Sequence, residues 1–350
     1  MKNIRYSLLI FLLWGCSSIK TPLPTNNASI STPENIQPVV ISTATQPIAQ
    51  RNSFILDRFI DMDIAESESV WAVSDDGTVV HSDIFYREGR RKSIENFGGY
   101  LTGIDMISNT NGWAIAGING IMYWNGNTWE KYLSADLSKT TPLLDIDFVD
   151  ENSGWIVGCD FDKGDASSVL LYWNGTKWGK ISLHDFLGQD IFCLTAVDAI
   201  SESEVWIVGK DTYPKNILLH WDGSKWGEVP PPDDMRYPHT ISGTGNNDVW
   251  VSSMLTADSE IIFHWNGENW TQFELPIAHS LTFAQRTSAL FANSPNDVWA
   301  GGKQLFHWDG KDWKNKNYDG SNGNIVAIKS APDKTIWALT DTGVVIELVK

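Results

Sequence analysis

The residues with the most chemistry to offer are four aspartates set at one repeated position. Asp63, Asp105, Asp147 and Asp198 each stand eight residues before a tryptophan of a recurring motif, and Ser242, Phe291 and Lys329 take that position in three later copies. Their neighbours are mostly apolar (Ile104 and Met106, Ile146 and Phe148), so in a strand the carboxylates face the other way. In an innermost strand that side looks onto a central channel. Carboxylates ~10 Å apart repel by about 1.7 kcal/mol at an effective dielectric of ~20. Such a cluster needs cations, Lys329, or raised pKa values. Two readings stay open: a cation or basic partner group binds there, or the aspartates bond loop amides as scaffolding of the repeat. Asp160, Asp162 and Asp165 form a second acidic group. They miss the spacing of a calcium loop and lack its distal Glu, so a solvated loop is expected, with calcium the weaker alternative and no other cofactor implied.

Nucleophilic and metal chemistry find less support. Cys159 and Cys193 alone make a weak metal site, and the sequence leaves open whether they pair or stay free thiols. His220, His264 and His307 share one slot with Tyr123 and Tyr172. A slot that accepts Tyr is no metal slot, so these histidines read as half-buried packing residues. No Ser-His-Asp arrangement, phosphate loop or HExxH motif is present.

The elements that hold these residues are written in tryptophan. Seventeen of 18 tryptophans fall into two motifs. The first is Val70-Trp71, Gly112-Trp113, Gly154-Trp155, Val205-Trp206, Val249-Trp250, Val298-Trp299 and Ile336-Trp337, at intervals of 38 to 51 residues. The second, aromatic-Trp-[Asn/Asp]-Gly-x-x-Trp, gives Trp124/Trp129, Trp173/Trp178, Trp221/Trp226, Trp265/Trp270 and Trp308/Trp313. Each unit reads as four short strands, with Asn125-Gly126 as a hairpin signal. A period of this length with four strands per unit predicts an all-β chain: a seven-bladed β-propeller of four-stranded antiparallel blades. The last unit encodes three strands, so an N-terminal strand near residues 42–47 is expected to close the ring, with Val39–Ile41 and Phe54–Leu56 as apolar candidates. Third strands apolar on both faces, such as Ile121–Trp124 and Leu305–Trp308, predict burial between blades and make the tryptophans glue rather than ligand contacts.

Gly-Trp-Ala-Ile-Ala-Gly (112–117), Gly-Trp-Ile-Val-Gly (154–158), Val-Trp-Ile-Val-Gly (205–209) and the Gly-x-x-Trp turns carry a resemblance. The chain resembles Asp-box (BNR) propellers and, more closely, the photosystem II assembly/stability-factor-like propellers of bacteria. Over about 300 residues the resemblance implies the fold, and an assembly-factor role without a named partner. Trp124, Trp173, Trp221, Trp265 and Trp308 stand where the Asp-box has its Asp.

Second-to-third-strand loops are short in blades 1, 2, 6 and 7 and long in blades 3 to 5 (Cys159–Ser168, Lys210–Asn216, Ser252–Glu260). They share a face with the between-blade connections that carry Arg236, Tyr237, His239, His279 and Arg286. Function concentrates on loops held by a rigid scaffold, so this sector, with Asp160, Asp162, Asp165, Lys210 and Tyr213, is the candidate binding face.

Residues 1–15 read as an export signal: Lys2 and Arg5 precede an apolar run from Tyr6 to Leu13. Leu13-Trp14-Gly15-Cys16 looks like a lipobox, which implies lipidation of Cys16 and anchoring to a bacterial membrane. Ser17 leans towards the outer membrane where a cell has two. Residues 16–44 form a Ser/Thr/Pro-rich tether, and 45–350 the propeller. The net charge of −17 disfavours nucleic acid and anionic lipid as partners. The expectation is a monomeric, membrane-tethered, extracytoplasmic and non-catalytic scaffold for an envelope protein or complex. A glycan-binding propeller is the alternative, and a sialidase-type glycoside hydrolase is less favoured, because no strand position repeats an arginine.

Overall fold

The computed structural model describes residues 58–349, except 67–68, 84–91, 98, 119, 133–136, 138–140, 162–166, 211–214, 257–258, 276–287, 319 and 321. The signal segment, Cys16, the tether and the expected closing strand lie outside the described residues, as do Asp162, Asp165, Tyr213, His279 and Arg286.

Blade 2 shows how the repeat folds. Leu101–Ser108, Asn111–Ala116, Gly120–Trp124 and Trp129–Tyr132 pair antiparallel in that order. In its last hairpin the Asn125 side chain accepts the Asn127 and Thr128 amides at 2.9 and 3.0 Å. Gly126 adopts φ 89°, a left-handed conformation that costs glycine little. Asn174, Asp222, Asn266 and Asp309 repeat this side-chain turn. The outer-hairpin indole N–H then ties the turn to its own blade: Trp124 donates to the Asn109 carbonyl at 2.9 Å, and Trp173 to that of Glu151 at 3.0 Å. The second motif is thus a turn plus a strap.

Seven such sheets follow one another, making a seven-bladed β-propeller of antiparallel blades. Six have four strands, and the seventh shows three among the described residues: Ile325–Ser330, Ile336–Thr340 and Val345–Leu348. The innermost strands are Phe59–Glu66, Leu101–Ser108, Leu143–Asp150, Cys193–Ser201, Arg236–Gly245, Ala289–Ser294 and Ile325–Ser330. Each neighbours the next, and the last neighbours the first. Bulges recur in them, as between Phe59 and Asp61 and between Leu101 and Gly103, adding twist where the strands crowd.

The core is divided among seven blade–blade interfaces. Trp71 of blade 1 packs against Trp124 and Trp129 of blade 2, and Trp113 of blade 2 against Trp173 and Trp178 of blade 3. Trp337 and Leu339 of blade 7 bury themselves against Phe59, Met62 and Val70 of blade 1. All seven first-motif tryptophans are buried.

Candidate binding face

Second-to-third hairpins and between-blade connections emerge on one face, here the upper face. On it the structure assembles a contiguous patch from blades 3 to 5. Cys159 is the penultimate residue of the second strand of blade 3 and Cys193 begins blade 4; the two are disulfide-bonded, with Cα atoms 4.7 Å apart. Beside the bridge Phe161 and Phe192 meet edge to face at 6.4 Å. Cys193 pairs in register with Lys210, whose ammonium lies 4.5 Å from the centre of the Tyr237 ring. Burial pulls the Lys210 pKa below its ordinary value. Tyr237 holds φ 54°, an uncommon conformation for a residue with a Cβ. Its carbonyl contacts His239 Nδ1 at 3.2 Å, and His239 Nε2 lies 3.1 Å from Ser252 Oγ. Arg236 donates its amide to Ser253 Oγ at 2.8 Å and leaves its side chain exposed.

The structure places Lys210, Arg236, Tyr237 and His239 together on this face, while Asp160 is drawn into a hairpin pairing with Ser167. One loop reading needs correction. Ser252–Glu260 is not a long loop: the second strand of blade 5 runs to Thr256, and the third starts at Ser259. Blade 5 extends its hairpin because the backbone there is paired, with Met254 opposite Glu260. Phe161 and Phe192 escaped the sequence reading, since an aromatic beside a strand normally signals core. Here both are at least 40% exposed, as are Tyr100 and Ile118 on the same upper face of blade 2.

The repeated aspartates line the axial side of blades 1 to 4, and each latches the next blade. Asp63 Oδ2 accepts the Met106 amide at 2.7 Å, Asp105 that of Phe148 at 3.2 Å, Asp147 that of Ala199 at 2.5 Å and Asp198 that of Gly243 at 2.9 Å. Ser242 continues the series with Ala292 at 3.0 Å. Two further aspartates at the inner-strand bulges do the same: Asp61 with Ile104 at 3.1 Å and Asp145 with Val197 at 2.9 Å. The scaffolding reading was right about amides, but these are strand amides of the neighbouring blade and not loop amides. Burial raises the carboxyl pKa of Asp61, Asp105, Asp147 and Asp198, and pushes Asp145 up to about 7. Lys329 faces them. Burial opposes its charge, but Asp63, Asp61, Asp147 and Asp105 outweigh that and hold the ammonium well above its usual range. Among the described residues no three His, Cys, Asp or Glu side chains are arranged to hold a metal ion.

The repeated histidines have a partner that the sequence reading missed. Asp248 Oδ1 accepts from the Trp250 indole at 2.9 Å and contacts His264 Nε2 at 2.8 Å. Asp297 does the same with Trp299 at 3.1 Å and His307 at 2.8 Å. In blade 4 Glu204 accepts from Trp206 at 2.6 Å, with His220 Nε2 2.9 Å away. Each imidazole stacks on its tryptophan, at 4.0 to 4.3 Å between centres. The signal was an acid two residues before the tryptophan in blades 4 to 6; in blade 1 His81 fills the slot opposite Trp71, and Ser69 Oγ, 2.6 Å from its Nε2, stands in place of the acid. Blades 2 and 3 carry Tyr123 and Tyr172 there, and Asn111 and Ser153 in place of the acid. These triads sit against the blade interfaces, buried in blade 6 and half-buried in blades 4 and 5, where they brace the ring.

Comparison with known proteins bears on the fold. No protein-family profile matches the chain, and no curated protein matches it by sequence. Solved structures do. YCF48 bound to D1 peptide superposes with a TM-score of 0.61 at 15% identity, over 84% of this chain and 92% of that one. YCF48 from Cyanidioschyzon merolae gives 0.60 at 14%, over 85% and 96%. A catalytically inactive virginiamycin B lyase from Staphylococcus aureus, with quinupristin, gives 0.63 at 10%, over 86% and 98%. The likeness is one of fold. The WD40 propeller domain of Doa1 also shares it, at a TM-score of 0.58, so binding modules and an enzyme both use this architecture, and the site must decide the chemistry.

Proposed function

We propose that the chain is a protein-binding propeller that presents the upper face of blades 3 to 5 to a segment of a partner protein, held outside the cytoplasm by lipid on Cys16. The observation that carries this is the exposed Phe161–Phe192 pair beside Lys210, Tyr237 and Arg236. Exposed aromatics next to an arginine are the composition that protein interfaces favour. A disulfide and a stacked lysine fix this patch on rigid strands, so little ordering entropy is lost on binding. The bridge also fits an oxidising compartment. YCF48, which shares the fold, has been solved with a peptide, a use of the architecture that this reading extends to the present chain. The acid–imidazole pairs are stacked on tryptophans at the blade interfaces and each axial carboxylate accepts an amide of the next blade, which supports a binding role over a catalytic one.

The test is capture of partners from native membranes by the tagged chain and by a Phe161→Ala/Phe192→Ala variant. A stoichiometric protein held by the wild type and lost from a folded variant supports the proposal. Release by free sugar with no protein partner would replace it with the glycan-binding alternative. Labelling with a radioactive fatty acid, present in the wild type and absent from Cys16→Ser, tests the anchor.

A further inference from the structure

We propose that the axial carboxylates of blades 1 to 4 form a proton-holding clasp, with Lys329 as its fixed counter-ion, that tightens the ring as the medium turns mildly acidic. This goes beyond the binding role and does not depend on it. Six carboxyl groups share the axial side: Asp61, Asp63, Asp105, Asp145, Asp147 and Asp198. Among the described residues the opposing charge that acts on them is the ammonium of Lys329. Blades 5 and 6 bring Ser242 and Phe291 to the same level, and neither carries charge.

The clustering of these groups along the axis favours bound protons. One positive charge faces six carboxyl groups, of which Asp105 is buried and the others half-buried, so their mutual repulsion is stronger than between groups in open water. Protonation leaves the latches in place. The neighbouring amide occupies one oxygen of Asp105, Asp147 and Asp198, so a proton on the other relieves repulsion without breaking the inter-blade bond.

The raised carboxyl pKa values, with Asp145 at about 7, set the sign and the window. A folded-state pKa above the unfolded value means that the native ring binds protons more tightly than the unfolded chain. The stabilisation is complete below the unfolded carboxyl range near 4 and is lost as pH rises through about 7. Lys329, raised as well, stays charged throughout this window.

The experiment is the melting temperature of the purified chain between pH 5 and pH 8. The clasp predicts a rise of ~3–6 °C on going from pH 8 to pH 5. Asp105→Asn keeps an amide acceptor and removes the charge. It should melt higher than the wild type at pH 8 and show a smaller pH difference. The exposed control Asp233→Asn should leave that difference intact, which separates the clasp from general relief of the chain's negative charge. Lys329→Met should lose more at pH 8 than at pH 5. A melting temperature that is flat or falls towards pH 5, or an Asp105→Asn variant that melts lower at pH 8, overturns the proposal. If a variant does not fold, the infrared carbonyl stretch of protonated carboxyl groups in the wild type at pH 7 decides: its presence supports the clasp and its absence overturns it.

Discussion

Replacing Trp250 by alanine should cost this protein about 4 kcal/mol. The indole is fully buried between blades 5 and 6, among Ile262, Leu275, Val298 and Phe306. It meets Trp308 at 5.5 Å and Trp313 at 5.7 Å, and stacks on His264 at 4.0 Å. A buried indole removes ~150–250 Å² from water, or about 4–6 kcal/mol gross at ~25 cal/mol/Å²; truncations of this size measure about 3–5 kcal/mol. The variant also strips one donor from Asp248, whose carboxyl sits below its usual range because bonds from His264, Thr244 and Trp250 outweigh its burial. Trp250→Phe separates the two contributions: it keeps most of the packing and loses the N–H, for roughly 1.5–3 kcal/mol. The assay is urea unfolding followed by tryptophan fluorescence. A loss under about 1 kcal/mol for Trp250→Ala would refute the view that the tryptophans hold the blades together.

Three further outcomes follow from the same structure. Gly209→Ala should cost ~1–3 kcal/mol in urea unfolding, because a Cβ there would lie 2.2 Å from the Cys193 carbonyl oxygen; an unchanged midpoint would mean that the two inner strands part freely. Under denaturing conditions without reductant, Cys159 and Cys193 should give no free thiol, and reduction should lower stability by ~2–4 kcal/mol for a bridge spanning 34 residues. Millimolar calcium should leave the melting temperature unchanged, since the axial carboxylates are engaged by strand amides and Lys329; a clear upward shift would reopen the cation reading.

The fold was legible because its signals are local and repeated. Trp113, Gly117, Asn125-Gly126 and Trp129 each state a strand, a turn or a strap within one unit, and seven units average out the noise. Residues that act across blades were harder to read. Asp105 shows its repeat position in the sequence, but its partner, the Phe148 amide, lies 43 residues on in the next blade. The pairing of Asp297 with His307 was visible only as an acid two residues before a tryptophan, a pattern that gains meaning once hairpin register puts His307 opposite Trp299. Exposure of Phe161 and Phe192 is set by where a hairpin ends beside the disulfide, and no local pattern encodes that.

The most direct measurement of the binding role is site-specific photocrosslinking in the native membrane. A photoreactive side chain would replace Phe161, Arg236 or, on the opposite face, the exposed Lys225. Binding through the upper face of blades 3 to 5 predicts one shared protein adduct from positions 161 and 236, and none from 225. An adduct from 225 alone, or no adduct from either upper-face position, would contradict it.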